Sequence, residues 1–274
     1  MQSVERLYDT LPGSDIYILG TGASVRVFPL DMLRGRIVIG LNMAWKLWPV
    51  QYAITMRPEL NVPEFMGEPP RPEITWITKP GKLTTDAQRQ FVAEHAQRFY
   101  AFRTDGRKCN LPKDQPSEAG RVLDWVRAPT ESYLYLWSSI SQSAMNLAAN
   151  MGARSIFLIG CDNCSIGGNH HAHAQHTFWK GEDPNIRYRQ YEQGCGEVRE
   201  ALRQRGVHVA SLTPFLSLSE PDRQFRDLCR DLTVPEYIEN PDITAAQLKG
   251  ATTAKTHARP GLLASVQSYF ARAS

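Results

Sequence analysis

Cysteine is scarce in this chain. Five are spread over 274 residues without regular spacing, and an odd number cannot all pair internally. That pattern excludes a disulfide framework and points to a reducing, cytoplasmic compartment. Long apolar runs are missing as well. None reaches the roughly eighteen residues that a membrane-spanning helix needs. The first residues, Met1-Gln-Ser-Val-Glu-Arg-Leu7, lack the basic-then-apolar order of a secretory signal. Neither sign of charge is in excess: 31 basic against 28 acidic residues leave a net charge of +3. That suits an anionic ligand such as a nucleotide but leaves no footprint for duplex DNA. There is no internal repeat. With 42% hydrophobic and 22% charged residues the composition is that of an ordinary globular protein, and the chain is long enough for one large domain or a domain with an appendage.

What is present is an alternation of strand-like and helix-like segments. Ile16–Leu19 is a short apolar run that stops at a glycine turn. Arg36–Leu41, Tyr52–Thr55 and Ile74–Thr78 read as further strands. Thr84–Phe99 carries Val92, Ala96 and Phe99 at helical spacing, with Thr85 or Asp86 as N-cap. Ser138–Met151 predicts a helix capped by serine and closed by Gly152. Ser155–Gly160 follows as the continuous apolar strand of a parallel sheet. Ile186–Arg205 reads as a helix ending at Gly206, and Val207–Leu212 as another strand. Between these blocks, residues 103–129 lack periodicity and predict a surface excursion or lid. From Pro221 the chain is charged and broken by Pro235, Pro241 and Pro260. The expectation is an α/β, Rossmann-like catalytic domain over 1–220 and a small C-terminal helical appendage over 221–274.

The first strand runs into Gly20-Thr-Gly-Ala-Ser24. Two familiar readings of such a loop fail here. A dinucleotide fingerprint requires a third glycine where Val25 stands, and an acidic residue about twenty positions on, where the chain offers Asn42. A P-loop requires a Gly-Lys-Ser/Thr that does not follow. A tight turn without a ligand is the plain alternative. In a doubly wound sheet, however, ligands bind beyond the carboxyl ends of the strands, which is where this loop falls.

Taken together, Gly20, Gly22, Ala23 and Ser24, the strand ending at Asn42, the block Ser138-Ser139-Ile140…Gly152…Ile156-Phe-Leu-Ile-Gly-Cys-Asp162 and the closing Leu212-Thr-Pro-Phe-Leu-Ser217 resemble a known superfamily. It comprises the bacterial lipooligosaccharide sialyltransferases, the motility-associated nonulosonate transferases and 6-hydroxymethylpterin diphosphokinase-like proteins. The resemblance covers residues 14 to 220 and implies a doubly wound, mostly parallel sheet of GT-A-variant type. It also implies a nucleotide-sugar donor, CMP-type favoured, contacted by Gly20, Thr21, Gly22, Ala23, Ser24, Asn42, Ser138 and Ser139. Tyr188 and Tyr191 would donate to the leaving phosphate, or simply pack the helix. This sequence departs from the pattern at Ser139-Ile140, where relatives have Ser-Gly, and at Arg57, where many have an acidic residue. Arg57 reads as a phosphate-neutralising cation or as a plain surface arginine.

The stretch from Gly160 to Lys180 holds Cys161, Cys164 and four of the seven histidines, His170, His171, His173 and His176. Structural zinc has the right residue types, but only five residues separate the halves where a finger has about twelve. A catalytic metal on His171, His173 and His176 is a second option. The third is general acid–base catalysis, since histidine titrates near neutrality. The resemblance places such a base in this loop, at His176 or His173, with Asp162 orienting a histidine or a ligand hydroxyl. A solvated polar loop is the fourth.

The leading expectation is a transferase with a nucleotide-activated donor and a hydroxyl-bearing acceptor, a glycan or a modified base, and a homo-oligomer is compatible with it. The alternatives are a diphosphokinase using ATP and Mg2+, a metal-dependent hydrolase and a non-catalytic nucleotide-binding module. Under the leading reading, protein purified without a histidine tag carries well under one equivalent of zinc or iron by elemental analysis. A full equivalent would favour the hydrolase.

Overall fold

The computed structural model describes residues 1–26, 28–104, 119–163, 171–172 and 184–213. Its centre is a single sheet of eight strands, all parallel: β1 (Gln2–Ser3), β2 (Asp15–Leu19), β3 (Ile37–Leu41), β4 (Tyr52–Thr55), β5 (Thr75–Thr78), β6 (Phe99–Ala101), β7 (Ser155–Ile159) and β8 (His208–Ser211). The order across the sheet is β1-β6-β5-β4-β3-β2-β7-β8. From β2 the chain winds outward through β3, β4, β5 and β6, then returns to the other flank of β2 as β7 and continues to β8. β2 and β7 are therefore adjacent strands from which the sheet is wound in opposite directions.

Alternation along the strands sorts the core into two layers, as the pleat requires. Ile16, Ile18, Ile39, Leu41, Ile54, Ile77, Ile156 and Leu158 share one layer with α3 (Ala119–Arg127), α4 (Ile140–Asn150) and α5 (Pro184–Arg203). Tyr17, Leu19, Val38, Ala53, Trp76 and Phe99 face the other, which is covered by α1 (Pro58–Asn61), α2 (Asp86–Glu94) and short 3-10 turns. With both faces covered, the strands read as apolar runs rather than as half-polar ones. No described helix is long and apolar enough to cross a membrane.

Most expected elements stand within a residue or two of their predicted limits. The helix expected over Thr84–Phe99 is shorter. Thr85 is its N-cap, in a capping box with Gln88, but α2 ends at Glu94 and Phe99 opens β6. The apolar spacing that suggested a longer helix places Phe99 in the sheet core, where pairing with Trp76 holds it in extended form. The expected excursion over 103–129 contains a helix, α3, whose Leu123 and Val126 are buried beside α5. The remainder of a lid, 105–118, and the appendage, 221–274, lie outside the described residues. The pair β1 and β6 was not foreseen: two and three residues are too few for periodicity to register.

α4 is the most deeply placed helix, with Ser141 to Asn150 all buried between β2, β3 and β4 on one side and α5 on the other. Its polar side chains satisfy the irregular segment that leads into it. Gln142 Oε1 accepts from the N–H groups of Trp137, Ser138 and Ser139 at 2.9, 3.1 and 3.4 Å. Asn146 Oδ1 accepts from Tyr135 N at 3.0 Å, and Ser143 Oγ donates to Tyr135 O at 2.7 Å. Buried backbone groups need partners, and here side chains supply them.

That arrangement leaves no room for a side chain at Gly194 of α5. A Cβ there would lie 2.0 Å from Gln142 Nε2 and 3.0 Å from the Trp137 ring. Helix propensity alone favours Gly194→Ala by about 1 kcal/mol. The contact reverses the sign, and we expect the variant to lose roughly 1–3 kcal/mol in urea unfolding.

Candidate functional site

Strands β2 and β7 end side by side, and their loops cross with almost no space between the backbones. Gly20 N donates to Ile159 O and Gly22 N to Gly160 O, both at 2.7 Å. A Cβ on Gly20 would sit 2.2 Å from Gly160 O, and one on Gly22 would sit 2.5 Å from Asp162 Oδ2. The two glycines are thus required by this crossing, whatever binds above it. Gly160 itself has φ +61°, in the left-handed region that side chains resist.

Asp162 closes the crossing. It is 7% exposed, and its carboxylate accepts from Ser24 N at 2.8 Å and from Ser24 Oγ at 2.5 Å. Thr213, just past β8, hydrogen-bonds the same carboxyl and takes the N–H of Gly160 at 2.9 Å. Burial pushes the Asp162 carboxyl up to about 6, against the hydrogen bonds from Ser24 and Thr213 that favour its charged form. Gly20, Gly22, Ser24 and Asp162, identified from sequence as separate site candidates, are one hydrogen-bonded unit.

The histidine stretch returns to this unit. Ala172 N donates to Thr21 O at 2.7 Å, and His171 Nδ1 lies 3.4 Å from Thr21 Oγ1. Arg26, exposed on the 3-10 turn Ala23–Arg26, donates from Nε to Ala172 O at 2.9 Å and from Nη2 to His171 O at 3.3 Å. His171 is therefore brought to the glycine turn. His173 and His176, as well as His170 and Cys164, lie outside the described residues.

Asn42 stands at the carboxyl end of β3 with φ +52°, a conformation asparagine tolerates better than most residues. Its Oδ1 accepts from Thr55 Oγ1 at 3.0 Å. That hydroxyl also accepts from Arg57 N and Asn61 Nδ2, each at 3.0 Å. Arg57 pairs with Glu59. Ser138 and Ser139 are held at the start of α4: Ser139 is the N-cap, and Ser138 Oγ donates to Gln190 O at 3.0 Å. Tyr188 is buried and Tyr191 packs against the core, their rings edge to face at 6.1 Å. Cys161 lies in the core, where burial raises its thiol well above the ordinary range. Among the described residues no three metal-ligating side chains come together.

Sequence reasoning missed Arg26, Thr213 and Gln142. Arg26 belonged to no motif, and its one signal is a cation two residues after the loop serine. Thr213 stood in the closing turn, but its contacts lie more than fifty residues away and spacing does not show them; Gln142 had a local signal, the Ser-x-x-Gln capping box that it forms with Ser139. No protein-family model, curated protein or solved structure matches the chain.

The Asp162 carboxyl makes stability depend on pH with a definite sign. Its folded value of about 6 exceeds the ordinary 3.8. The folded state therefore holds this proton more tightly, and the stabilisation is complete below the ordinary value and lost as pH rises through 6. Relative to Asp162→Asn, which cannot titrate, wild type should lose about 2 kcal/mol between pH ~4 and ~6.5 in urea unfolding. A flat difference would show that burial does not govern this carboxyl.

Proposed function

We propose that the protein is a transferase for a nucleotide-activated donor, in the form of a sialyltransferase-like glycosyltransferase of GT-A-variant type. It would move a CMP-activated acidic sugar to the hydroxyl of a glycan or modified base. The observation that carries this reading is the position of the Gly20–Ser24 loop and Asp162 at the reversal point of a doubly wound parallel sheet. Ligands of such sheets bind in the crevice beyond the carboxyl ends of the strands at that point. Asn42, one strand over, and His171, docked on Thr21, add polar groups along the same edge.

The chemistry asks for three things from such an edge. The donor's phosphate needs donors and positive charge as the sugar–oxygen bond breaks and its electron pair passes to the phosphate. The acceptor hydroxyl needs a base to take its proton as the new carbon–oxygen bond forms, and a histidine of the 170–176 stretch is suited to it near neutral pH. Water must be kept out of the crevice, and the return of residues 171–172 over the glycine turn contributes to that.

Thermal unfolding with a panel of CMP, UDP, GDP, ATP and their sugars tests the reading, because a ligand of the folded state raises Tm. We expect CMP or a CMP-sugar to give the largest shift. No shift with any member would sink the proposal. A shift with ATP alone, strictly dependent on Mg2+, would reassign the protein to diphosphoryl transfer. Loss of turnover in His171→Ala, His173→Ala or His176→Ala with nucleotide binding intact would exclude a non-catalytic module.

A further inference from the structure

We propose that Trp125, Tyr133 and Arg103 form a platform for one ring of an acidic oligosaccharide, at the carboxyl edge of the sheet beyond β6. The platform's part in a reaction rests on the transferase reading above, where it would hold a distant unit of the acceptor. The binding itself does not rest on that reading.

One backbone contact brings these three side chains together. Arg103 lies just past the end of β6; its N–H donates to Ser132 O at 2.8 Å, and its carbonyl accepts from Leu134 N at 2.9 Å. Phe102 and Leu134, both fully buried, take the core side of this short parallel bridge. Alternation therefore turns Arg103 and Tyr133 away from that core, side by side. The guanidinium carbon of Arg103 stands 6.0 Å from the centre of the Tyr133 ring. The Trp125 ring, carried by α3, stands 4.6 Å from the same centre and is tilted by 33°. Arg103 is exposed, and the two rings are half-buried, so part of each is open to a ligand.

Two independent features mark the cluster as a binding surface. The first is its polar edge. The indole N–H of Trp125, the hydroxyl of Tyr133 and the N–H groups of the Arg103 guanidinium have no hydrogen-bond partner among the described residues. The second is charge. Arg57, Arg89, Arg98, Arg127 and Arg154 each sit against a carboxylate. Arg103 has none among the described residues. Neither does Lys79, whose Nζ donates to the hydroxyl of Thr104, beside Arg103, at 2.8 Å.

Chemistry and place select the occupant. Ring faces with hydrogen-bond donors at their edges suit a sugar, which has apolar C–H faces and hydroxyl oxygens around them. Two cations without a carboxylate favour a sugar that carries an acid group. A single-stranded nucleic acid calls for a cationic groove with several stacking rings in succession, and one aromatic pair on a chain of net charge +3 does not supply it. Four strand spacings, roughly 19 Å, separate β6 from the reversal point at β2. A single sugar ring cannot span that distance, so a ligand that reaches both places is an oligosaccharide.

The test is calorimetric titration of the full chain with tetrasaccharides of galacturonate, hyaluronan and chondroitin sulfate, with neutral maltotetraose, and with a short single-stranded DNA. Wild type is compared with Arg103→Gln and Arg103→Lys, both at an exposed position, and with Tyr133→Phe, which keeps the ring. We expect an acidic tetrasaccharide to bind wild type more tightly than maltotetraose does. Its affinity should fall roughly tenfold in Arg103→Gln and about threefold in Tyr133→Phe, the scale of a charge-assisted and a neutral hydrogen bond. Arg103→Lys should recover part of the loss, and CMP should bind all forms alike. No saturable binding of any acidic tetrasaccharide at about 10 mM would overturn the platform, as would a change below about twofold in Arg103→Gln. Tighter binding of the DNA than of every tetrasaccharide would overturn it in favour of a nucleic-acid surface. Oligosaccharide binding that depends on Arg103, in a protein that responds to no nucleotide, would leave the platform standing while the transferase reading falls. Nucleotide binding without oligosaccharide binding would do the reverse.

Discussion

Everything at the candidate site depends on one backbone crossing, that of the loops after β2 and β7. Two chains in van der Waals contact at a sheet edge have unpaired N–H and C=O groups on both sides, and burying them is costly unless they meet one another. Here they do, through Gly20, Gly22 and Gly160, with Asp162 as the bolt that takes both donors of Ser24. The carboxylate is expensive to bury, and its raised proton affinity records that cost. Apolar packing joins the hydrogen bonds, since Val25 lies against Gly160 within the second core layer.

The same solution recurs beneath the sheet. Gln142 gathers three N–H groups of the segment before α4 much as Asp162 gathers those of the β2 loop, and Gly194 lets α5 approach closely enough to complete the layer. Both places use a buried polar side chain to satisfy irregular backbone, and both need a glycine opposite.

Much of the fold was legible from sequence because its strands are apolar on both faces and its helices are bounded by strong stops, such as Thr85 at the start of α2 and Gly206 beyond the end of α5. What escaped notice was short or uncapped. β1 and β6 have no period to display, and α3 follows a Pro- and Lys-rich stretch that reads as a surface excursion. At the site, the individual residues Gly20, Gly22, Ser24 and Asp162 were legible, but their mutual bonding was not. Sequence spacing carries no information about a contact spanning 138 residues. Ser138 and Ser139 were legible as the start of a helix, where Ser139 is the N-cap of α4 and Ser138 bonds Gln190 O.

Among the described residues the two faces of the sheet are clad in different ways. Three helices back one side, while the other is covered by α2 and single turns such as Leu30–Leu33, Ala44–Lys46 and Pro63–Met66. Single turns have few internal hydrogen bonds, so these are held to the sheet by their buried side chains, Leu33, Ala44 and Trp45 among them. Ala172, whose carbonyl accepts from Arg26, packs against that layer. Among the described residues, one face of the sheet is thus sealed by whole helices and the other mainly by the packing of single turns against the strands.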